Sequence, residues 1–150
     1  MAFQPQDPSF RDRVRASFAR QHVMQTLRIG IVRLEPGEIE LTMPYDVAYT
    51  QQHGFVHAGI VTTALDSACG YAAFSLMPAE AAVTVEFKTN LLAPAKGDQF
   101  LFRGRVIRPG KTITVCEAQA LSVAGDNKER LVATMTGTLM ALFDRQGVVH

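Results

Sequence analysis

The sequence predicts an α+β domain in which a curved antiparallel sheet wraps around one long helix. Three observations carry that expectation. The first is a proline-free pattern from Ala58 to Leu76, where Val61, Leu65, Ala68, Ala72 and Leu76 recur at helical spacing. The second is a series of four strand-like segments after it, with no second helix of comparable length. The third is a short hairpin before it, so that strands flank the helix in sequence. The helical pattern covers about five turns, and apolar residues on its remaining faces mark it as enclosed.

Taken in order, Asp7 or Ser9 is expected to cap a first helix whose apolar stripe is Phe10, Val14 and Phe18. Arg11, Arg13, Arg15 and Arg20 on that helix read as a solvated basic face. His22 to Leu27 adds a short turn, with His22 an ordinary surface or capping histidine. Ile31 to Glu35 and Ile39 to Met43 then flank Pro36-Gly37, a hairpin in which Ile39 and Leu41 alternate with Glu38, Glu40 and Thr42. Pro44 to Thr50 is a loop. Met77-Pro78 ends the long helix, because proline has no N–H with which to continue it. Ala82 to Leu92 alternates Val83, Val85 and Phe87 with Thr84, Glu86 and Lys88 before Pro94. Gln99 to Ile107, Thr112 to Ala124 and Leu131 to Phe143 follow, separated by turns at Pro109-Gly110 and Gly125-Asp126-Asn127. These four strands are expected to form a meander. Residues 1–28 read as an N-terminal helical segment and residues 29–150 as the core of one domain.

Composition narrows the function. A chain of 150 residues with 47% hydrophobic content can bury a substantial core. A formal net charge of +1, 19% charged residues and no long basic run argue against a nucleic-acid partner. Cys69 and Cys116 lack metal-site spacing and read as reduced core residues, which fits the cytoplasm. The N-terminus lacks the basic-then-apolar pattern of a signal peptide, and no apolar run reaches the ~18 residues of a membrane span. The histidines and acids show no HExxH or paired-cysteine spacing, so no metal is expected.

The chemistry gathers between Gln51 and Leu76. On the long helix, Gly59, Thr63, Asp66 and Gly70 fall at steps of four, three and four, which stacks them in one stripe of small and polar groups. The turn His57-Ala58-Gly59 leaves the first helical N–H groups pointing outward, where they can hold an anion or a polarised carbonyl. The stretch therefore offers an oxyanion site and a carboxylate. A buried aspartate alone would be read as accepting hydrogen bonds from a neighbouring loop; the turn upstream moves the reading to catalysis. His57 reads as structural, holding the loop through a ring N–H. His53 is a loop residue at the site's entrance, and Gly54 and Gly59 meet backbone requirements first and leave room for substrate second.

The run HGFVHAGIVTTALDSACGYAA, followed by TVEFKTNLLAPAKGD and the turn RPGKT, resembles the hotdog-fold acyl-CoA thioesterases of the phenylacetate-degradation type. The resemblance covers nearly the whole chain. It implies dimers whose sheets join edge to edge, usually paired again as dimers of dimers, with each site combining the loop before the helix in one subunit and the helix acid of the other. Position by position, it implies that the backbone N–H of Ala58 polarises the thioester carbonyl, where many relatives have glycine. Asp66 matches the carboxylate that activates a water as general base or attacks the carbonyl directly. Thr84 matches a hydroxyl residue that helps hold the water. Gln51 stands where asparagine is frequent, and its longer stem leaves neighbouring Gln52 as an alternative donor at the carbonyl. Arg108 and Lys111, flanking the turn, would meet the phosphates of coenzyme A, although an exposed turn with two cations is equally common without a ligand.

The expected reaction is hydrolysis of an acyl-CoA to a free acid and coenzyme A, with no cofactor beyond the coenzyme A of the substrate. Leu65, Cys69 and Phe74 are expected to enclose Asp66 and raise its pKa by desolvation. The acyl group is left open among aryl-acetyl, hydroxylated aromatic and medium-chain classes, pending the packing of Phe55, Tyr71, Phe74 and Met77. The alternatives are a non-catalytic acyl-CoA-binding hotdog protein and a hotdog hydratase or dehydratase. Asp66 argues against the first, since a sensor has no need of a carboxylate beside the thioester, and the spacing from His57-Ala58-Gly59 to that acid argues against the second, whose families use a different acid/base pair.

Overall fold

The computed structural model describes residues 2–148. Helix α1 (Phe10–Arg20) and the single turn α2 (His22–Thr26) precede a hairpin of β1 (Gly30–Glu35) and β2 (Glu38–Pro44). A 3-10 turn at Val47–Tyr49 leads to the central helix α3 (Ala58–Phe74). Four strands follow: β3 (Ala81–Leu91), β4 (Gln99–Arg108), β5 (Ile113–Val123) and β6 (Glu129–Leu142). The six strands form one antiparallel sheet in the order β1-β2-β4-β5-β6-β3, packed around α3, which is the expected hotdog architecture. None of the described helices is long and apolar enough to cross a membrane.

The sheet order corrects the expected meander. Of the four strands after α3, only β4, β5 and β6 pair consecutively; β3 crosses to the far edge and pairs with β6, while β4 inserts beside β2. Neighbours in sequence pair often enough to make a meander the default expectation, and no strand's side-chain pattern names its partner.

Close approach of α3 to the sheet explains its small residues. A Cβ on Gly104 would lie 2.4 Å from the Ala68 carbonyl oxygen, so β4 passes directly under the helix. A Cβ on Gly137 would meet the Cys69 Cβ at 3.5 Å, in ordinary contact. Ala64, Ala68 and Ala72 are fully buried against this surface. The helix is nevertheless enclosed on three sides only. Thr63, Asp66 and Gly70 are half-buried and Gly59 is exposed, so the predicted stripe is the open face of α3.

At its far end α3 stops at Phe74, short of the expected Leu76. The Ser75 hydroxyl donates to the Ala72 carbonyl at 2.7 Å and accepts the Gly37 N–H at 2.8 Å, tying the helix end to the hairpin turn. Gly37 supplies the left-handed φ of 77° that this turn requires. Arg13 also holds this end, contrary to the expectation of a solvated face. Its guanidinium lies 4.3 Å over the Phe74 ring and donates to the carbonyls of Phe74, Met77 and Ala79 at 3.2, 2.8 and 3.1 Å. A cation there complements the helix dipole and satisfies carbonyls that the helix leaves open. Arg15 and Arg20 are exposed as expected. Ser9 occupies the cap position of α1 without a side-chain cap; the Asp7 carboxylate instead accepts the Ser9 N–H at 2.8 Å.

Candidate active site

Hydrogen bonding at the start of α3 singles out one donor. Of the first four helical N–H groups, those of Ile60 and Val61 donate to the His57 carbonyl at 2.9 and 3.1 Å, and that of Gly59 donates to His57 Nδ1 at 2.9 Å. Among the described residues nothing accepts the Ala58 N–H. His57 thus supports the loop as an acceptor, which corrects the expected ring N–H: Nδ1 is engaged, and the proton of the neutral ring sits on Nε2. The segment before it is fixed by backbone bonds from His57 N to Tyr49 O at 2.9 Å and from Gln51 N to Phe55 O at 2.9 Å. The Gln51 side-chain oxygen accepts the His53 N–H, leaving the amide nitrogen of Gln51 available as a donor.

Gln51, His57 and Ala58 line one side of a cavity of about 280 Å³ whose other walls include Val61, Leu91 and Val132. Gln52 and His53 are exposed and do not line it. Gly59 contributes its N–H to His57 and has no Cβ to crowd the ring.

Asp66 opens into a second, smaller cavity of about 80 Å³, shared with Gln21, Ser67, Tyr71 and Thr84. The Thr84 hydroxyl donates to Asp66 Oδ1 at 2.8 Å, joining two residues separated by a helix end and a loop. A β-bulge makes this contact possible. The β3–β6 register shifts between Thr84 and Glu86, so Thr84 pairs opposite the buried Leu139 while Glu86 pairs opposite Thr138 and takes its hydroxyl bond on the outer face. Strict alternation would have placed Glu86 on the same face as Thr84.

Burial raises the Asp66 pKa above the ordinary carboxylate value, and the Thr84 hydrogen bond draws it partly back. The direction is the expected one, but the enclosure differs. Leu65, Cys69 and Phe74 lie in the core, whereas the carboxylate's cavity is shared with side chains from the N-terminal segment and β3. Gln21 is the residue that the sequence reading missed. It sits at the junction of α1 and α2, where its non-helical ψ of 96° interrupts the helix, and its Oε1 accepts from the Ser67 hydroxyl at 3.2 Å. The one available signal was a break in the helical pattern immediately before His22. The buried Cys116 thiol is pushed up to about 12 by desolvation, and the buried Cys69 thiol is raised likewise, so neither is a nucleophile at neutral pH.

Within one chain the two halves of this chemistry are apart. Asp66 is eight residues after Ala58, about 12 Å along the helix axis, and it opens into a different cavity. Arg108 and Lys111 are exposed beside the opposite end of α3, where Lys111 lines a cavity of about 470 Å³ with Leu76, Met77 and Phe143. The inward-facing side of β3 lacks cover: Phe87 is 44% and Leu91 61% exposed, and the bulge residue Val85 is 54% exposed.

A free donor at the helix start and a carboxylate on the open helix face are groups that hydrolysis can use, and the chain belongs to the thioesterase superfamily, which its residues 53–126 match. It is 61% identical to a thioesterase family protein from Silicibacter pomeroyi, with a TM-score of 0.87 over 89% of this chain and 98% of that one. It is 33% identical over 97 residues to the "Putative esterase SSO2140" of Saccharolobus solfataricus, covering 65% of this chain and 69% of that protein. The PaaI protein from the phenylacetic acid degradation operon of E. coli shares the fold at 22% identity, with a TM-score of 0.78 over 89% of this chain and 94% of that one. The protein smu.793 from Streptococcus mutans UA159, solved bound to acetyl CoA, aligns at 27% identity with a TM-score of 0.67, over 79% of this chain and 91% of that one.

Proposed function

We propose that this protein is an acyl-CoA thioesterase that works as a dimer or a dimer of dimers, hydrolysing an aryl-acyl or medium-chain acyl-CoA. The observation that carries the reading is the unpaired Ala58 N–H, since the other first-turn donors are occupied and this one faces an apolar cavity. Hydrolysis of a thioester concentrates negative charge on the carbonyl oxygen, and a fixed donor at a helix start stabilises that charge without reorganising. Asp66 of the partner subunit supplies the base. A water gives its proton to that carboxylate while its oxygen attacks the carbonyl carbon. The tetrahedral intermediate then expels the thiolate of coenzyme A, which takes the proton from Asp66, leaving the free acid. Coenzyme A enters as part of the substrate, and the reaction as written consumes only water.

Several features support a shared site. The separation of Ala58 and Asp66 along one helix is too great for a single carbonyl group. β3 is an edge strand of the sheet with an uncovered face, and a second copy would close both. On this reading Arg108 and Lys111 reach a ligand at Ala58 only from the partner subunit. The binding of acetyl CoA by the Streptococcus protein supports the coenzyme A ester as the substrate class.

The test is hydrolysis of a panel of acyl-CoA thioesters, from acetyl through decanoyl to phenylacetyl and hydroxyphenylacetyl, followed by release of free thiol. Wild type is expected to turn over part of the panel and Asp66→Asn to lose most of that activity while keeping its fold. Tight acyl-CoA binding without turnover by wild type would replace this reading with that of a binding protein.

A further inference from the structure

We infer that Gln21, from the N-terminal helical segment, positions the attacking water at Asp66; the inference rests on the thioesterase reading above. Asp66 Oδ1 is occupied by the Thr84 hydroxyl, which spends its proton on the carboxylate and so cannot donate that proton to a water. The small cavity beside the carboxylate therefore needs another donor to hold a water molecule. Gln21 lines it, half-buried, and its side-chain oxygen is already fixed by the Ser67 hydroxyl at 3.2 Å. That bond directs the amide so that Nε2 is left without an acceptor among the described residues.

A cavity of about 80 Å³ has room for water. A water between the two groups donates one hydrogen to Asp66 and accepts one from Gln21 Nε2. Its second lone pair stays free for the carbonyl carbon. Orientation of this kind contributes through the geometry of approach and does not require Gln21 to exchange protons.

The position of Gln21 follows from the backbone. Because α1 ends at Arg20 and α2 begins at His22, the extended residue between them sends its side chain across to α3 at Ser67, adjacent to Asp66. A segment that lies outside the hotdog core thereby reaches the carboxylate. Tyr71 is the one other titratable group lining the cavity, and its pKa is raised by burial, so no second charge competes for the water.

The experiment compares wild type, Gln21→Met and Gln21→Glu on the best substrate of the panel, with kcat and KM measured across pH and folding checked by thermal unfolding. Gln21→Met keeps the side chain's length and fills the same space without a donor. It is expected to lower kcat about tenfold, the effect of one ordinary hydrogen bond, with KM unchanged. Gln21→Glu is expected to move the acid limb of kcat/KM to higher pH, because a second carboxylate across the cavity holds the proton on the pair. An unimpaired Gln21→Met enzyme overturns the assignment, as does a loss confined to KM, which would make Gln21 an acyl contact. An inactive wild type overturns the thioesterase reading and this inference with it, whereas an active wild type with insensitive Gln21 variants overturns the inference alone.

Discussion

Substituting proline for Ala58 removes the oxyanion donor and leaves the other hydrogen bonds at the start of α3 in place. Ala58 is the first helical residue, where proline's fixed φ is already suited and its missing N–H breaks no hydrogen bond within the protein. The residue before a proline must be extended, and His57 already is, at φ −60° and ψ 139°. Restricting the unfolded chain is expected to stabilise the fold by about 0.4–1 kcal/mol. Removing one oxyanion donor costs about 3–4 kcal/mol of transition-state stabilisation, so kcat falls roughly 10²–10³-fold. The proline Cδ also occupies the place of the lost hydrogen and keeps the carbonyl oxygen from the site. Thiol release and thermal unfolding on the same preparations are the assay, with Ala58→Gly as the control that retains the N–H. A proline variant that is folded and fully active would remove the Ala58 N–H from the mechanism.

The remaining expectations concern the acid and the sharing of the site. Asp66→Asn should unfold at the same temperature as wild type or higher at neutral pH. The folded protein raises this group's pKa, so the stability it contributes is present in acid and lost as pH rises through the folded value; a less stable variant would show that the carboxylate's main part is structural. Thr84→Val removes the contact that draws the Asp66 pKa down, so the acid limb of kcat/KM should move to higher pH. A limb that stays in place would assign the titration to another group. Mixing Ala58→Pro and Asp66→Asn subunits after exchange should restore about a quarter of wild-type activity, since half the dimers are mixed and each then holds one intact site. Recovery of nothing in exchanged dimers would place both groups in the same subunit's site.

The contrast between Asp66 and Gln21 shows how far the site could be read from the chain. Asp66, Gly59 and Gly70 share one helix, so the 3.6-residue period alone aligns them. The donor at Ala58 follows from its place at the end of that helix, since every helix start leaves N–H groups unpaired. Thr84 needed the family resemblance to be noticed. Its contact with Asp66 depends on a bulge that no alternation pattern announces, and the strict reading would have put Glu86 on the same face. For Gln21 the one signal was the break in the helical pattern before His22, and that break does not say which helix the side chain reaches. Arg13 was misread for a similar reason: charge on an amphipathic helix normally faces solvent, and only the docking of α1 beside the end of α3 turns it inward.

What the sequence determined by itself was local. Periodicity placed the long helix, the hairpin and the strands to within a few residues, and with them the free donor and the stripe that carries the carboxylate, because these depend on backbone geometry over neighbouring residues. Tertiary structure decided the strand order, the bulge that turns Thr84 toward Asp66, the capture of α3 by Arg13 and the arrival of Gln21 from the N-terminal segment. Each of those joins residues far apart in the chain. Which distant surfaces meet is settled by the packing of the whole core, and local patterns do not encode it.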